Sequence, residues 1–233
     1  CINAEPEHII FTSGGTESNN HAIKHFTVSS DICHVVTSAI EHHSVLYACE
    51  NSGYERFVVP VDRYGFVSAD KLEKVLGRVR SVIASCDSTL VTIMTANNEI
   101  GTIQRIKELS EISHRYGAVF HTDAVQAVGH IPIDVQAMGI DMLSASAHKF
   151  NGPKGIGFLY SRNRLLQPYH HGGAQEFGMR AGTENVPAIV GMAVSLKKNT
   201  KEMSHNAEHL HHLTEVFLTA LRSIGIDYII NGH

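Results

Sequence analysis

The sequence has few prolines and cysteines, no long apolar run and no basic stripe. Six prolines against 19 glycines, with 43% hydrophobic and 18% charged residues, indicate a globular chain and exclude the disordered, collagenous and low-complexity classes. The apolar runs fall short of the roughly 20 residues that a membrane helix needs, so we expect no membrane association. A net charge of −4 without a basic stripe argues against nucleic acid as a partner.

The four cysteines form no CxxC pair and show no zinc-finger spacing. This pattern argues against a disulfide framework and favours a reducing compartment. We expect Cys33, Cys49 and Cys86 to be small buried hydrophobic residues. No basic and then apolar leader opens the chain, which predicts a cytoplasmic protein. Because the first residue is Cys1 and not Met, we also expect the chain to be a segment of a longer protein.

Short β-branched runs alternate with helical patterns along the chain. Apolar strands separated by helices predict an α/β fold whose mainly parallel sheet is covered on both faces. Gly77 and Gly117 are predicted to end the helices before them, and a helical pattern begins near Val186. The predicted strands are 8–12, 34–37, 57–61, 90–94, 118–121, 140–143, 156–160 and 227–230.

Residues 12–18 (TSGGTES) join a predicted strand to a predicted helix through two glycines. A helix N-terminus offers unpaired N–H groups and a positive dipole, which suit a phosphate, and Gly14 and Gly15 would allow its close approach. The segment is neither a P-loop nor GxGxxG. An ordinary capped helix start explains it equally well.

Residues 121–126 (HTDAVQ) place Asp123 at the C-terminal end of a predicted strand. Ligands of open α/β sheets bind at such ends, so Asp123 is a candidate site residue. A helix N-cap is the competing interpretation of this aspartate.

Lys149 follows another predicted strand, in the segment 144–149 (SASAHK). Partial burial or a cationic neighbour lowers the pKa of a lysine and frees its amine to form a Schiff base. His148 is a candidate proton partner or phosphate contact, although a surface loop is the alternative. A phosphate cradle, a strand-end acid and a reactive lysine together match what pyridoxal 5′-phosphate (PLP) requires.

A metal site is a rival hypothesis. His205, His209 and His212 share one face of a predicted helix, with Glu208 adjacent. That spacing suits zinc or nickel, although no further acid or cysteine in the sequence completes the site.

Seven segments occur in a family-specific order: TSGGTES (12–18), EH (41–42), NNEIG (97–101), HTDAVQ (121–126), AHK (147–149), GPKG (152–155) and RAGTEN (180–185). On these residues the chain resembles the NifS/IscS-type cysteine desulfurases, a branch of the class V aminotransferase group of PLP enzymes. The resemblance implies the large domain of PLP-dependent fold type I, with a sheet of the seven-stranded type. It also implies a large domain over residues 1–204 without its N-terminal arm, and the start of a small domain over 205–233.

The resemblance implies a role for each matching position. Lys149 would form the Schiff base with PLP, His42 would stack on its ring and Asp123 would bind its pyridinium nitrogen. Gln126 would bond the phenolic oxygen, and Asn98 would contact cofactor or substrate. Thr183 would reach the phosphate in the partner subunit of a homodimer. The remaining phosphate contacts would be Gly15, Thr16, Ser146 and His148.

The implied reaction converts L-cysteine to L-alanine and passes the sulfur on as a persulfide, to an acceptor or scaffold protein of iron–sulfur or thiolation pathways. The family's nucleophilic loop cysteine and its substrate-binding arginine lie downstream of everything present, so we expect the chain alone to be inactive. Ala174 and Phe177 replace a glycine and an arginine of the family pattern. The alternatives are a selenocysteine lyase and a non-catalytic PLP-binding module.

Overall fold

Strands and helices alternate along residues 1–24, 26, 33–82, 88–163 and 166–232, which the computed structural model describes. The strands are β1 (Ile9–Thr12), β2 (Cys33–Ser38), β3 (Glu55–Val59), β4 (Ser88–Thr92), β5 (Val119–Asp123), β6 (Met142–Ser146) and β7 (Gly157–Ser161). The α-helices are α1 (Gly15–Lys24), α2 (His43–Glu50), α3 (Ala69–Val82), α4 (Ile106–Arg115) and α5 (Val186–Ser223). Short 3₁₀ helices cover Pro6–His8, Ala147–Phe150 and Gln175–Gly178.

The strands described form one seven-stranded sheet in the order β1-β7-β6-β5-β4-β2-β3. The pairs β2–β3, β2–β4, β4–β5 and β5–β6 are parallel, whereas β7 runs antiparallel to both β6 and β1. The predicted α/β fold with a mainly parallel sheet is therefore confirmed. Since β1 and β6 are both antiparallel to β7, β1 points the same way as the parallel strands. The C-terminal ends of β1, β2, β4, β5 and β6 consequently meet at one edge of the sheet.

Each face of the sheet has its own apolar layer. Successive residues of a strand point to opposite faces, so Val35 and Leu90 pack with α1 and α2, while Val36 and Val91 pack with α3 and α4. All five residues of β6 and of β7 are buried, as in central strands covered on both sides. The two layers hold the strand ends in fixed relative positions.

Three local predictions meet different outcomes. Gly117 follows α4 with φ +74°, a left-handed conformation that confirms the predicted helix end. Gly77 lies inside α3, where no atom of the described residues would contact an added Cβ, so that predicted helix end is wrong. Residues 227–230 form no strand, and Ile229 is 89% exposed. A β-rich sequence forms a strand only when a neighbour supplies the pairing edge and the apolar cover.

Helix α5 begins at Val186, where the helical sequence pattern also begins, and it is continuous over 38 residues. Asn185 caps it by accepting a hydrogen bond from the Ala188 N–H at 3.2 Å. The predicted division after residue 204 falls inside this helix, and the division itself stays a prediction. None of the described helices is long and apolar enough to cross a membrane.

Candidate active site

A cavity of about 280 Å³ opens where the C-terminal ends of the strands meet. Such edges are where α/β sheets bind ligands. Nine of the ten predicted site residues line it: Gly15, Thr16, His42, Asn98, Asp123, Gln126, Ser146, His148 and Lys149. The four other lining residues are Asn19, Ser44, Met94 and Val125, which are not among the predicted site residues.

One end of the cavity is built by the start of α1 and the end of β6. The Ser18 N–H makes the first hydrogen bond of the helix, to the Gly14 carbonyl at 3.1 Å, so the preceding N–H groups have no acceptor within the helix. The Ser146 hydroxyl lies 2.9 Å from Nδ1 of His148. These N–H, hydroxyl and imidazole groups form a cradle suited to an anion.

Glycines allow the two halves of this cradle to approach each other. Gly157 pairs with both Thr12 and Ser146, and a Cβ on it would lie 2.4 Å from the Ala145 carbonyl oxygen and 2.7 Å from Gly14 Cα. Gly14 itself has φ +149°, a backbone conformation that L side chains rarely adopt. The glycines are therefore needed for backbone packing as well as for room near an anion.

A second depression adjoins the cradle and shares Gly15, Thr16, Ser146 and His148 with it. Lys154 lines this depression and adds a positive charge beside the cradle. Desolvation lowers the pKa of His148, and the charges of Lys149 and Lys154 act in the same direction. His148 is thus favoured as a neutral hydrogen-bonding group.

Asp123 is the last residue of β5 and is only 4% exposed. Its Oδ1 accepts from the Val125 N–H at 3.0 Å, and its Oδ2 accepts from Asn19 Nδ2 at 2.7 Å. Burial raises the pKa of this carboxyl, although those hydrogen bonds and the nearby His42 and Lys149 oppose the rise. Turns and not a helix follow Asp123, so the helix N-cap interpretation is wrong.

Lys149 lies half-buried on the 3₁₀ turn Ala147–Phe150. Its own carbonyl accepts a hydrogen bond from His130 Nε2 at 2.7 Å, and the Phe150 carbonyl accepts one from Asn199 Nδ2 at 2.7 Å. Asn151 ends the turn in the left-handed conformation, with φ +63°. Contacts from two distant segments therefore hold the backbone that carries the lysine.

His42 caps α2, with its Nδ1 accepting from the Ser44 N–H at 3.1 Å. The preceding Glu41 is 5% exposed, and its Oε1 accepts from the Ser38 hydroxyl at 2.5 Å and from the Met94 N–H at 2.9 Å. Burial, together with the nearby Asp123, raises the pKa of Glu41 to about 8. Glu41 thereby ties the backbone beside His42 to the end of β4.

Asn98 belongs to a turn that its neighbour holds in place. Asn97 Oδ1 accepts from the N–H groups of Glu99 at 2.9 Å and Ile100 at 3.0 Å, and its Nδ2 donates to the Ile40 carbonyl at 2.8 Å. The Asn98 side chain is left exposed at the cavity. Gln126 lies half-buried at the same cavity, three residues after Asp123.

Thr183 is the predicted site residue that the structure does not bring to Lys149. It lines a separate cavity of about 200 Å³ together with Arg180. Arg180 donates to both carboxylate oxygens of Glu17 on α1, at 2.9 and 3.3 Å. Burial would raise the pKa of Glu17, but hydrogen bonds from Arg180 and Ser13 outweigh it and lower the pKa. The segment that carries Thr183 is thus anchored to the first turn of the cradle helix.

The segment that departs from the family pattern adopts an unusual backbone. Glu176 and Phe177 both have positive φ, at +49° and +59°, and Phe177 is 52% exposed. The Glu176 carboxylate accepts a hydrogen bond from the Phe11 N–H at 2.8 Å and so caps the outer edge of β1. A bulky residue such as Phe177 is rare in this conformation.

The two missed polar residues, Asn19 and Ser44, were within reach of sequence reasoning. Asn19 lies four residues after Gly15 on α1, so both share one helix face. Ser44 follows His42 by two residues at the start of α2. The burial of Asn19, however, depends on β5 and α2 closing over it.

The rival metal hypothesis gains no support. His205, His209 and His212 are all exposed on α5. Among the residues described, no group of three or more His, Cys, Asp or Glu side chains is placed to hold a metal ion.

The predicted burial of cysteines holds for Cys49, whereas Cys1 is exposed. Cys33 begins β2, but its side chain lies outside the description, and Cys86 lies outside the described residues.

Comparisons with known proteins show what the whole chain is similar to. The family model Aminotransferase class-V matches residues 1–231. A curated relative, cysteine desulfurase IscS of Dictyoglomus turgidum, is 48% identical over 238 residues, which cover 100% of this chain and 58% of that protein.

Solved structures show the same fold. A NifS-like protein superposes with a TM-score of 0.88 at 37% identity, covering 98% of this chain and 62% of its own. A structure described as SspA in complex with cysteine superposes with a TM-score of 0.75 at 41% identity, covering 83% of this chain and 56% of its own. The chain thus spans less than two thirds of the length of each.

Proposed function

The chain belongs to the class-V aminotransferase family, in the NifS/IscS branch, and we propose that it is the cofactor-binding part of a PLP-dependent cysteine desulfurase. The observation that carries the proposal is the single cavity that joins Lys149, Asp123 and the anion cradle. A lysine amine, a buried acid and a phosphate site are the three groups that PLP chemistry requires of a protein.

The residues present fit PLP, the cofactor of this family. Burial raises the pKa of Asp123, so a cationic ring nitrogen opposite it would stabilise the ionised carboxylate. The N-terminus of α1 and the Ser146–His148 pair offer donors to a phosphate. The half-buried Lys149 lies on the same cavity as both. When bound, PLP supplies an electron sink that stabilises a carbanion of the substrate.

The chain's own residues would divide the work of binding and orientation. Lys149 Nζ would attach the cofactor, Asp123 would hold the ring nitrogen and Gln126 would donate to the phenolic oxygen. His42 would stack on the ring, while Asn98 would contact cofactor or substrate. The phosphate would be held by Gly15, Thr16, Ser146 and His148.

The proposed substrate is L-cysteine, and the products are L-alanine and a persulfide. The solved structure described as SspA in complex with cysteine, a protein 41% identical to this chain, supports the choice of cysteine as the proposed substrate. Burial raises the pKa of Cys49 to about 12, so its thiol is a poor source of the thiolate that sulfur transfer needs. Because none of Cys1, Cys33, Cys49 and Cys86 matches the loop cysteine that the family resemblance implies, we propose that the 233-residue chain alone does not turn over cysteine.

The proposal includes a homodimer, a sulfur-acceptor or scaffold protein and a cytoplasmic location. Thr183 lines a cavity apart from Lys149, which supports its assignment to the phosphate of a partner subunit. The Arg180–Glu17 pair would hold that threonine at a constant distance from the cradle of its own subunit.

The test is to add PLP to the purified 233-residue chain, record the visible spectrum, reduce with borohydride and map the label by mass spectrometry. We expect one trapped PLP per chain, on Lys149. Lys149→Ala should abolish the label, while the control Lys107→Ala, which changes an exposed lysine on α4, should keep it. Absence of a chromophore, or label spread over surface lysines, would contradict the proposal.

A second assay follows alanine release from L-cysteine. We expect no release above the background of free PLP from this chain alone. Release above that background would refute its proposed inactivity, and comparison with selenocysteine would then separate a desulfurase from a selenocysteine lyase.

A further inference from the structure

Two residues outside the predicted site connect opposite walls of the cavity. Asn19 is completely buried, and its Nδ2 donates to Asp123 Oδ2 at 2.7 Å and to Ser44 Oγ at 2.8 Å. Ser44 Oγ in turn lies 2.8 Å from Nδ1 of His42. A continuous path of hydrogen bonds therefore joins Asp123 to His42.

The direction of each hydrogen bond follows from the donors available. The Asn19 amide nitrogen has two hydrogens, which the Asp123 carboxylate and the Ser44 hydroxyl oxygen accept. The Ser44 backbone N–H can only donate, and it donates to His42 Nδ1 at 3.1 Å. Nδ1 of His42 therefore presents a lone pair, which also accepts the Ser44 hydroxyl proton. The neutral imidazole consequently holds its proton at Nε2.

We propose that Asn19 is a positioning residue that, with Ser44, holds the Nε2–H tautomer of His42 and the Asp123 carboxylate as one hydrogen-bonded unit. The inference rests on the proposed function, because that function places the cofactor against both ends of the path. Asn19 Oδ1 is buried without a partner among the residues described, so the two donated hydrogen bonds alone set the orientation of the amide. Turning the amide would place its oxygen against a carboxylate.

The unit has a functional consequence. His42 presents an N–H donor at Nε2, while the lone pair of its Nδ1 accepts hydrogen bonds from Ser44. The path runs from the buried Asn19–Asp123 hydrogen bond through the half-buried Ser44 to the exposed His42. Because each hydrogen bond polarises the next, we expect a change of charge at Asp123 to alter the hydrogen bonding of His42. Loss of either middle link should therefore disturb both ends.

The first test measures the tautomer directly, in the chain without PLP. Long-range ¹H–¹⁵N spectra distinguish the two tautomers of a neutral imidazole, and the His42→Gln spectrum identifies the signals of His42 among the 17 histidines. We expect the Nε2–H form. Observation of the Nδ1–H form would overturn the inference.

The second test compares the affinities for PLP and pyridoxal of Asn19→Leu, Ser44→Ala and the double variant. Asn19→Leu should bind both ligands about tenfold more weakly, the size of one hydrogen bond to a buried charged group, because the defect lies at the ring and not at the phosphate. The double variant should be weakened by less than the product of the two single effects. Asn20→Leu is the matched control, since among the described residues Asn20 donates to the Thr16 carbonyl on the same helix, at 2.9 Å, and to no other acceptor.

Equal affinities for Asn19→Leu and Asn20→Leu, or fully independent effects in the double variant, would refute the unit. If circular dichroism shows that Asn19→Leu does not fold, Ser44→Ala takes its place as the test. An unchanged affinity of Ser44→Ala for PLP would then refute the hydrogen-bonded path. A chain that traps no PLP on Lys149 would refute the proposed function instead. The tautomer result, obtained without PLP, still decides whether the path reaches Nδ1 of His42.

Discussion

Replacing Gly15 by alanine should destabilise the turn between β1 and α1 through one specific overlap. A Cβ at this position would lie 2.5 Å from Val125 Cγ2, well inside the roughly 3.5–4.0 Å of a favourable carbon–carbon contact. Gly15 is helical and is not among the glycines with positive φ, so its backbone accepts alanine without strain.

Two opposing effects set the magnitude. Overpacking costs about 1–3 kcal/mol, and the better helix propensity of alanine returns up to about 1 kcal/mol. We therefore expect the free energy of unfolding of Gly15→Ala to fall by about 1–2 kcal/mol. Urea unfolding of the 233-residue chain, followed by circular dichroism at constant pH, measures it.

Two control variants separate the overlap from other causes. Val125→Ala removes the Cγ2 atom, so adding Gly15→Ala to that variant should cost nothing or stabilise it. Gly77→Ala in α3 meets no atom within 4 Å and should stabilise the chain by up to about 1 kcal/mol. If Gly15→Ala costs as much with Val125→Ala as without it, the overlap is not the cause and the reasoning fails.

Three further changes test other parts of the structure. Burial lowers the pKa of His121 to about 3, so below about pH 6.5 the unfolded chain binds a proton that the folded chain does not. The free energy of unfolding should therefore fall by on the order of 4 kcal/mol toward pH 3. His121→Gln should reduce this pH dependence, measured by urea unfolding at several pH values. Burial raises the pKa of Glu41 from 4.5 to about 8, so between these pH values the folded chain holds a proton that the unfolded chain has lost. The free energy of unfolding should therefore fall by on the order of 4 kcal/mol as the pH rises from 4.5 to 8. Glu41→Gln should remove this loss of stability. Arg180→Ala should lower the free energy of unfolding, measured in urea, by about 2 kcal/mol, because the largely buried Glu17 carboxylate loses its cationic partner. Arg180→Lys should recover only part of this free energy, because a lysine ammonium cannot donate to both carboxylate oxygens as a guanidinium does.

Each of these three predictions has a result that contradicts it. An unchanged acid slope in His121→Gln would mean that the imidazole is not the group that resists protonation. If Glu41→Gln and the parent chain lose the same stability between pH 4.5 and 8, a group other than Glu41 causes the loss. Full recovery by Arg180→Lys would show that charge alone, without the paired hydrogen bonds, holds the Thr183 segment.

Local sequence patterns predicted much of the fold and most of the residues at the candidate site. Strand patterns followed by small or polar residues placed Asp123 at the end of β5 and Lys149 after β6, and both line the cavity. Such signals are readable because a buried strand and the turn after it are encoded by adjacent residues. The strand predicted at residues 227–230 failed because pairing depends on a neighbour that local composition does not reveal.

The sequence by itself determined the α/β class, the alternation of strands and helices and the chemical types gathered at the strand ends. Only the tertiary structure decided which of these groups are buried and which are joined. Asn19 meets Asp123 across 104 residues, and Glu176 meets the edge of β1 across 165 residues. The physical reason is that the order of strands in the sheet, and the helices packed over it, bring together residues that no local pattern connects. Burial follows from that packing, and buried polar groups then need hydrogen bonds to one another.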